Sequence, residues 1–142
     1  MASPTTSLNP TQIIATAVII KASGTEIGVE STYDSPSHEC FFKEEYDKLF
    51  SFSNTVLIAG DFNSKHTVWG SKLNNKRGKK LLSYTLRKNL SIHAPNDITY
   101  IPINKRHKEN ILDFAISKNL SSSINVFTVR ELPSDHFPVA IH

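Results

Sequence analysis

Apolar runs and short alternations divide the chain into a series of strands with two helices among them. Residues 13–22 are apolar at nearly every position, the pattern of a strand buried on both faces. Ser23-Gly24-Thr25 is turn chemistry. Residues 26–33 then alternate, with Ile27, Val29, Ser31 and Tyr33 on one face and Gly28, Glu30 and Thr32 on the other. The two stretches together predict a hairpin. After a loop at 34–37, Phe42, Tyr46, Leu49 and Phe50 recur at helical spacing. The spacing predicts a helix over 38–50, capped by Ser37, with Lys43, Glu44, Asp47 and Lys48 on the wet side. A second helix is expected over 77–88, with Leu81, Leu82 and Leu86 facing the core and Asn89 as the stop. Further strands are expected at 55–59, 90–93, 99–103, 111–116 and 124–129, and another opens after Pro138. Pro102 assigns 99–103 to an edge or a strand end. Residues 1–12, rich in Ser, Thr and Pro, read as a flexible lead-in to one domain over 13–142.

The stretch from Thr55 to Asn63 organises the rest. Its apolar run ends in Gly60, a residue suited to a tight exit or a close backbone approach. If the extended form continues through Asn63, Asp61 and Asn63 share a face and Phe62 turns the other way. A carboxylate and an amide held side by side can bind a hard metal or grip a phosphate. An Asx turn ending the strand accounts for the same residues equally well. Asp113 sits inside Ile-Leu-Asp-Phe-Ala-Ile, where an unpaired carboxylate costs several kcal/mol. His136 is its natural partner: a carboxylate that takes one ring N–H sets the tautomer and turns the other nitrogen outward. An alternative is that Asp113 caps a turn or a backbone amide.

Composition changes this picture in two places. The 142 residues are 39% hydrophobic and 20% charged, which is globular and sufficient for one core. Cys40 is the single cysteine, so no internal disulfide forms and no disulfide-linked partner is expected. Followed by Phe41 and Phe42, it reads as a buried apolar group. The run 13–20 is too short to span a bilayer and no membrane association is expected. Charge is uneven. Residues 1–60 hold seven acids and three Lys/Arg, residues 61–142 six acids and thirteen Lys/Arg. Between Phe62 and Asn96 there is no acid, while eight Lys/Arg occur, among them Lys65, Lys72, Arg77, Lys79 and Lys80. A field of one sign beside a candidate site suggests an anionic partner, nucleic acid first. For a charge run on its own, a solvated helix face is the favoured explanation.

Taken together, Gly60-Asp61-Phe62-Asn63, His66 to Trp69-Gly70-Ser71, Asn75 to Gly78, Thr99-Tyr100 followed by Pro102, Ile111-Leu112-Asp113-Phe114 and Ser134-Asp135-His136-Phe137-Pro138 resemble the endonuclease/exonuclease/phosphatase family. More narrowly they resemble the endonuclease domain of jockey-type non-LTR retrotransposons, over about residues 13–142. The resemblance implies an α/β fold, a four-layer α-β-β-α sandwich of the deoxyribonuclease I type. It implies cleavage of DNA phosphodiesters with magnesium, or manganese in its place, in a larger polyprotein carrying a reverse transcriptase. An intracellular, nuclear location follows from a DNA substrate. The implied catalytic residues are Asp61, Asn63, Asp113, His136 and Tyr33, with Asp61, Asn63 and Asp135 holding the metal. Lys65, Trp69, Lys72, Arg77, Lys79 and Lys80 are the expected nucleic-acid contacts. The family's Tyr-x-Pro-Pro site reads Tyr33-Asp34-Ser35-Pro36 here, with an acid beside the tyrosine. The family also opens with strands carrying an Asn and the principal metal-binding Glu. Neither precedes residue 13, so the chain is expected to be the C-terminal majority of the domain, with Glu26 and Glu30 the nearest carboxylates. A nucleic-acid-binding remnant without catalysis, and a phosphatase of the same fold, are the alternative readings.

Overall fold

The computed structural model describes residues 2–4, 13–37, 40–131 and 134–142. A short strand, β1 (Ala2–Pro4), pairs antiparallel with β2 (Ile13–Ala22), and β2 pairs with β3 (Thr25–Asp34) as the expected hairpin. β1 falls within the stretch expected to be a lead-in, whose remaining residues lie outside the described ones. Helix α1 (Lys43–Phe50) leads to β4 (Thr55–Asp61), which lies parallel to β3. A 3₁₀ turn (Thr67–Trp69) and helix α2 (Lys76–Arg87) follow, then β5 (Ser91–His93) and β6 (Asp113–Lys118). The sheet runs β1-β2-β3-β4-β6-β5, and β7 (Val126–Thr128) with β8 (Val139–Ile141) forms a separate two-stranded ribbon. Among the described residues no helix is long and apolar enough to cross a membrane.

The core lies on one face of this sheet. Ile13, Ala15, Val56, Ile58, Phe114 and Ile116 pack there against Tyr46, Leu49, Phe50, Leu81 and Tyr84 of the two helices. Each such side chain contributes roughly 1.5–3 kcal/mol of apolar burial. β2 is therefore buried on one face, not two: Ile14 is 56% exposed and Ile20 39%. β3 inverts the usual alternation, because Glu30, Thr32 and Asp34 take the helix face while Tyr33 stays exposed. Gly60 has φ +152°, and a Cβ there would lie 1.9 Å from the Thr32 carbonyl oxygen, so the close approach expected at this glycine is real.

Several element boundaries differ from expectation for local reasons. The first helix starts at Lys43, not 38; Phe42 at its N-cap is extended and Ser37 Oγ bonds Ser35 Oγ at 2.7 Å. Phe41 stacks on Tyr46 at 4.7 Å, which ties the approaching chain down in non-helical form. Residues 38 and 39 lie outside the described ones. Cys40 is exposed, not buried, because it sits on that extended approach. In α2 the inward stripe is Arg77, Leu81, Tyr84 and Thr85, so Leu86 falls off it and is 72% exposed. Residues 99–103 make isolated bridges in place of a strand.

Glu30 is the least expected core residue. It is 1% exposed, and neither carboxylate oxygen has a hydrogen-bond partner among the described residues. Burial pushes its pKa up to about 7, from an ordinary 4.5. The folded state thus favours the protonated acid. Stability from this group is complete below about pH 4.5 and is lost as pH rises toward 7, by about 3 kcal/mol in all. Glu30→Met should remove that slope, and melting curves from pH 5 to pH 8 should show the variant more stable than wild type at the upper end.

Candidate active site

The antiparallel register of β4 and β6 sets Asp61 directly opposite Asp113. Val56, Ile58, Phe114 and Ile116 occupy the helix face, so both carboxylates emerge on the other one. Tyr33 is the register partner of Asp61 on β3 and shares that face. The same alternation turns Asp34 inward. Its carboxylate ion-pairs with Arg77 and accepts the Tyr46 hydroxyl at 2.8 Å. The acid that follows Tyr33 is thereby kept out of the cleft.

Asn63 does not reach the site by continuing the strand. β4 ends at Asp61, and Asn63 has φ +46° in the left-handed region. Its backbone N–H donates to Asp61 Oδ1 at 2.9 Å, an Asx turn. The turn and the site are thus one feature, because the turn aims the Asn63 side chain. One amide hydrogen of Asn63 donates to the Asp34 carbonyl at 2.8 Å.

The segment around Thr99 supplies the third wall. Thr99 Oγ1 accepts the backbone N–H groups of Leu112 and Asp113 at 2.9 and 3.1 Å, which anchors the start of β6. Phe137 N donates to the Thr99 carbonyl at 2.7 Å and Ile101 N to the Asp135 carbonyl at 2.8 Å. This lacing carries His136 over the carboxylate pair. His136 Nδ1 lies 3.1 Å from Asp113 Oδ2, and its Nε2 lies 3.7 Å from Asp61 Oδ2. The Tyr100 ring backs the imidazole with a centroid separation of 4.7 Å. The pairing of Asp113 with His136 expected from burial is present.

Burial, and then the neighbouring Asp113 charge, push the Asp61 pKa up to about 6. The hydrogen bond to Asp113 raises the His136 pKa above 6.5, and the charges of Asp113, Asp61 and Asp135 add to it against the cost of burial. The pair therefore contributes stability that is full below about pH 6.5 and fades as pH rises through the folded value. Asp113→Asn should return His136 toward its ordinary pKa, readable as a downward shift in an NMR titration of the metal-free protein.

Asp61, Asn63, Asp113, Asp135, His136, Tyr33 and Lys65 line one cleft of about 600 Å³, together with Pro36, Tyr100 and Leu112. Sequence reasoning assigns no role to Tyr100, although Thr99-Tyr100 is among the motif residues. The nucleic-acid set is dispersed. Trp69 is 3% exposed; its Nε1–H donates to the Ser64 carbonyl at 3.1 Å and its ring packs on Phe114. Arg77 is buried against Asp34. Both belong to the framework. Lys72 pairs with Glu109 at 3.5 Å on the surface. Lys79 and Lys80 line a different groove. Only Lys65 of the six reaches the cleft.

One oxygen of each carboxylate, Asp61 and Asp113, and one ring nitrogen of His136 lie within 4.8 Å of one another, a grouping able to hold a cation. Asp135, expected as a ligand, is at the rim, where its Oδ1 accepts the His136 backbone N–H at 3.1 Å. Neither upstream acid joins them: Glu26 pairs with Lys21 at 2.9 Å, and Glu30 lies on the helix face.

Residues 27–140 match the family described as endonuclease-reverse transcriptase. The probable RNA-directed DNA polymerase from transposon X-element of Drosophila melanogaster is 33% identical over 129 residues, which cover 90% of this chain and 14% of that protein. The RNA-directed DNA polymerase from mobile element jockey of Drosophila funebris is 31% identical over 106 residues, 73% of this chain and 12% of that protein. This chain thus spans 12–14% of the length of these curated relatives. Among solved structures, the endonuclease domain of TRAS1, a telomere-specific non-LTR retrotransposon, superposes with a TM-score of 0.73 at 22% identity, over 92% of this chain and 60% of that one. The mixed α/β fold with its central sheet is that of endonuclease/exonuclease/phosphatase proteins. By its match over 27–140, the chain belongs to the endonuclease–reverse transcriptase family.

Proposed function

We propose that this chain is a DNA endonuclease domain that hydrolyses phosphodiester bonds with a divalent cation, in a protein that also carries a reverse transcriptase. Nicking of target DNA, to prime reverse transcription in the nucleus, is the corresponding cellular role. The observation that carries the reading is the convergence of Asp61, Asp113 and His136, from two strands and a loop, in one open cleft.

Each group has a task its geometry suits. Asp61, with a pKa near 6, is ionised at neutral pH and basic enough to orient the attacking water and accept its proton. Asp113 accepts the His136 Nδ1–H and favours the imidazolium, whose Nε2–H then faces the cleft, where it donates to a phosphate oxygen and steadies charge forming in the transition state. Tyr33 and Lys65 supply further donors on the same wall. Asn63 Oδ1 and the Asp61 carboxylate, with Asp135 at the rim, are hard oxygen donors of the kind magnesium or manganese takes, with water completing the shell. A cation also suits an Asp61 carboxylate whose charge is otherwise disfavoured by burial. Once bound, such an ion polarises the phosphate and stabilises the leaving oxyanion.

One observation favours the second reading, a nucleic-acid-binding remnant without catalysis: neither Glu26 nor Glu30 brings another carboxylate to the cleft. An end-labelled DNA duplex incubated with magnesium or with EDTA separates the cases. Internal, magnesium-dependent cuts support the nuclease. Intact DNA bound in a salt-sensitive manner selects the remnant, and release of terminal phosphate alone selects a phosphatase.

A further inference from the structure

A second concave surface lies on the helix side of the sheet, across from the cleft. It is a groove of about 700 Å³ between the approach to α1 and the outer face of α2, lined by Phe41, Lys43, Lys76, Lys79, Lys80 and Arg87, with Ser83 between the last two. No described acid lines it. Lys43 is met by Asp47 at 3.0 Å. Lys76, Lys79, Lys80 and Arg87 form no ion pair with any described acid. The first turn of α2 holds no acid either, and Asn75 caps it with a neutral amide.

The spacing of these cations is orderly. Positions 76, 79, 80 and 87 fall on one stripe of α2, opposite the inward stripe of Arg77, Leu81 and Tyr84. At 1.5 Å per residue the stripe is about 16 Å long, the axial length of roughly five phosphates on one strand. A rigid helix presenting four uncompensated charges over that length is complementary to a polyanion of regular pitch. Phe41 is the one aromatic ring in the lining, and it is already stacked on Tyr46 at 4.7 Å and tilted against Tyr84 at 5.7 Å, so the groove is dominated by its cations and not by stacking platforms. Single strands are held by a charged groove combined with such stacking, whereas duplex backbones are held by phosphate contacts that need no ring.

We propose that the α2 groove is a second, sequence-independent binding surface for the phosphate backbone of duplex DNA, separate from the cleft. It takes DNA as the partner from the proposed function and does not depend on cleavage. Its consequence is that the domain engages duplex at a point remote from the bond cut in the cleft.

The test is anisotropy of a labelled duplex in EDTA, with the chain titrated at salt concentrations from about 50 to 200 mM. Lys80→Gln/Arg87→Gln should lower the slope of log affinity against log salt by roughly two, about 0.9 for each phosphate that is no longer neutralised. The matched pair Lys21→Gln/Lys48→Gln, which removes the same charge elsewhere, should change it by less than about one. Lys80→Arg/Arg87→Lys should bind as wild type. On the wild-type chain, duplex should shield Lys76, Lys79 and Lys80 from acetylation. Equal slopes for the groove pair and the matched pair overturn the proposal, as does acetylation unaffected by duplex. A groove pair that loses only single-stranded RNA, with duplex unchanged, overturns the choice of partner. Because cleavage is absent in EDTA, failure of the nuclease reading appears separately, as intact DNA with magnesium.

Discussion

Asp61→Ala is expected to lower phosphodiester cleavage by at least about 10³-fold while leaving the fold intact. Asp61 closes the central strand, and its side chain points away from the core, so removing it opens no core cavity. The loss is chemical. The same carboxylate lies 3.7 Å from His136 Nε2 and converges with Asp113 and His136 in a grouping able to hold a cation. Removing Asp61 also removes a charge that favours protonation of His136, so the histidine pKa should fall in the variant. Gel-based nicking rates for wild type and variant, beside matched circular dichroism spectra, check both halves. A variant that nicks within about threefold of wild type would mean that the catalytic base lies elsewhere.

Arg77→Leu is expected to cost about 3–5 kcal/mol of stability, the usual consequence of leaving one member of a buried ion pair behind. Arg77 and Asp34 are both nearly inaccessible, at 5% and 1% side-chain exposure. The guanidinium also donates to the Ser35 carbonyl at 2.7 Å and the Phe62 carbonyl at 3.4 Å. It thus clamps the end of β3, the turn after it and the exit of β4 together. Those are the segments that carry Tyr33, Pro36, Asp61 and Asn63 into the cleft. A drop in melting temperature of roughly 10–20 °C should accompany the substitution. Asp34→Asn/Arg77→Leu should recover part of it, because the Asp34 charge is then removed together with its partner.

The face that carries the cleft is legible in the sequence because its residues break a pattern. Asp113 interrupts an apolar run, Asp61 ends one, and His136 sits beside an acid just before a proline-limited strand. A strand of period two then tells which side chains can meet, provided the register is known. What supports the site is not legible. The Asp34–Arg77 pair joins residues far apart in the chain, and no local spacing announces it. Arg77 reads as a surface cation because its charge, not its place on the α2 stripe, draws attention. Trp69 reads as a ligand contact for a similar reason, although its indole N–H is consumed by the Ser64 carbonyl. Leu86 errs the other way: an apolar letter one position past Thr85, off the stripe, faces solvent. The lacing of 99–101 to 135–137 consists of single backbone bonds between loops, which carry no periodic signal.

The most direct measurement is nicking of supercoiled plasmid by the purified chain, with magnesium and with EDTA. Conversion to open circles with magnesium, abolished by EDTA, is the predicted result and makes the cleft a working phosphodiesterase site. Plasmid that stays supercoiled in the presence of a folded, DNA-bound chain and magnesium would contradict it, and leave Asp61, Asp113 and His136 as a binding surface alone.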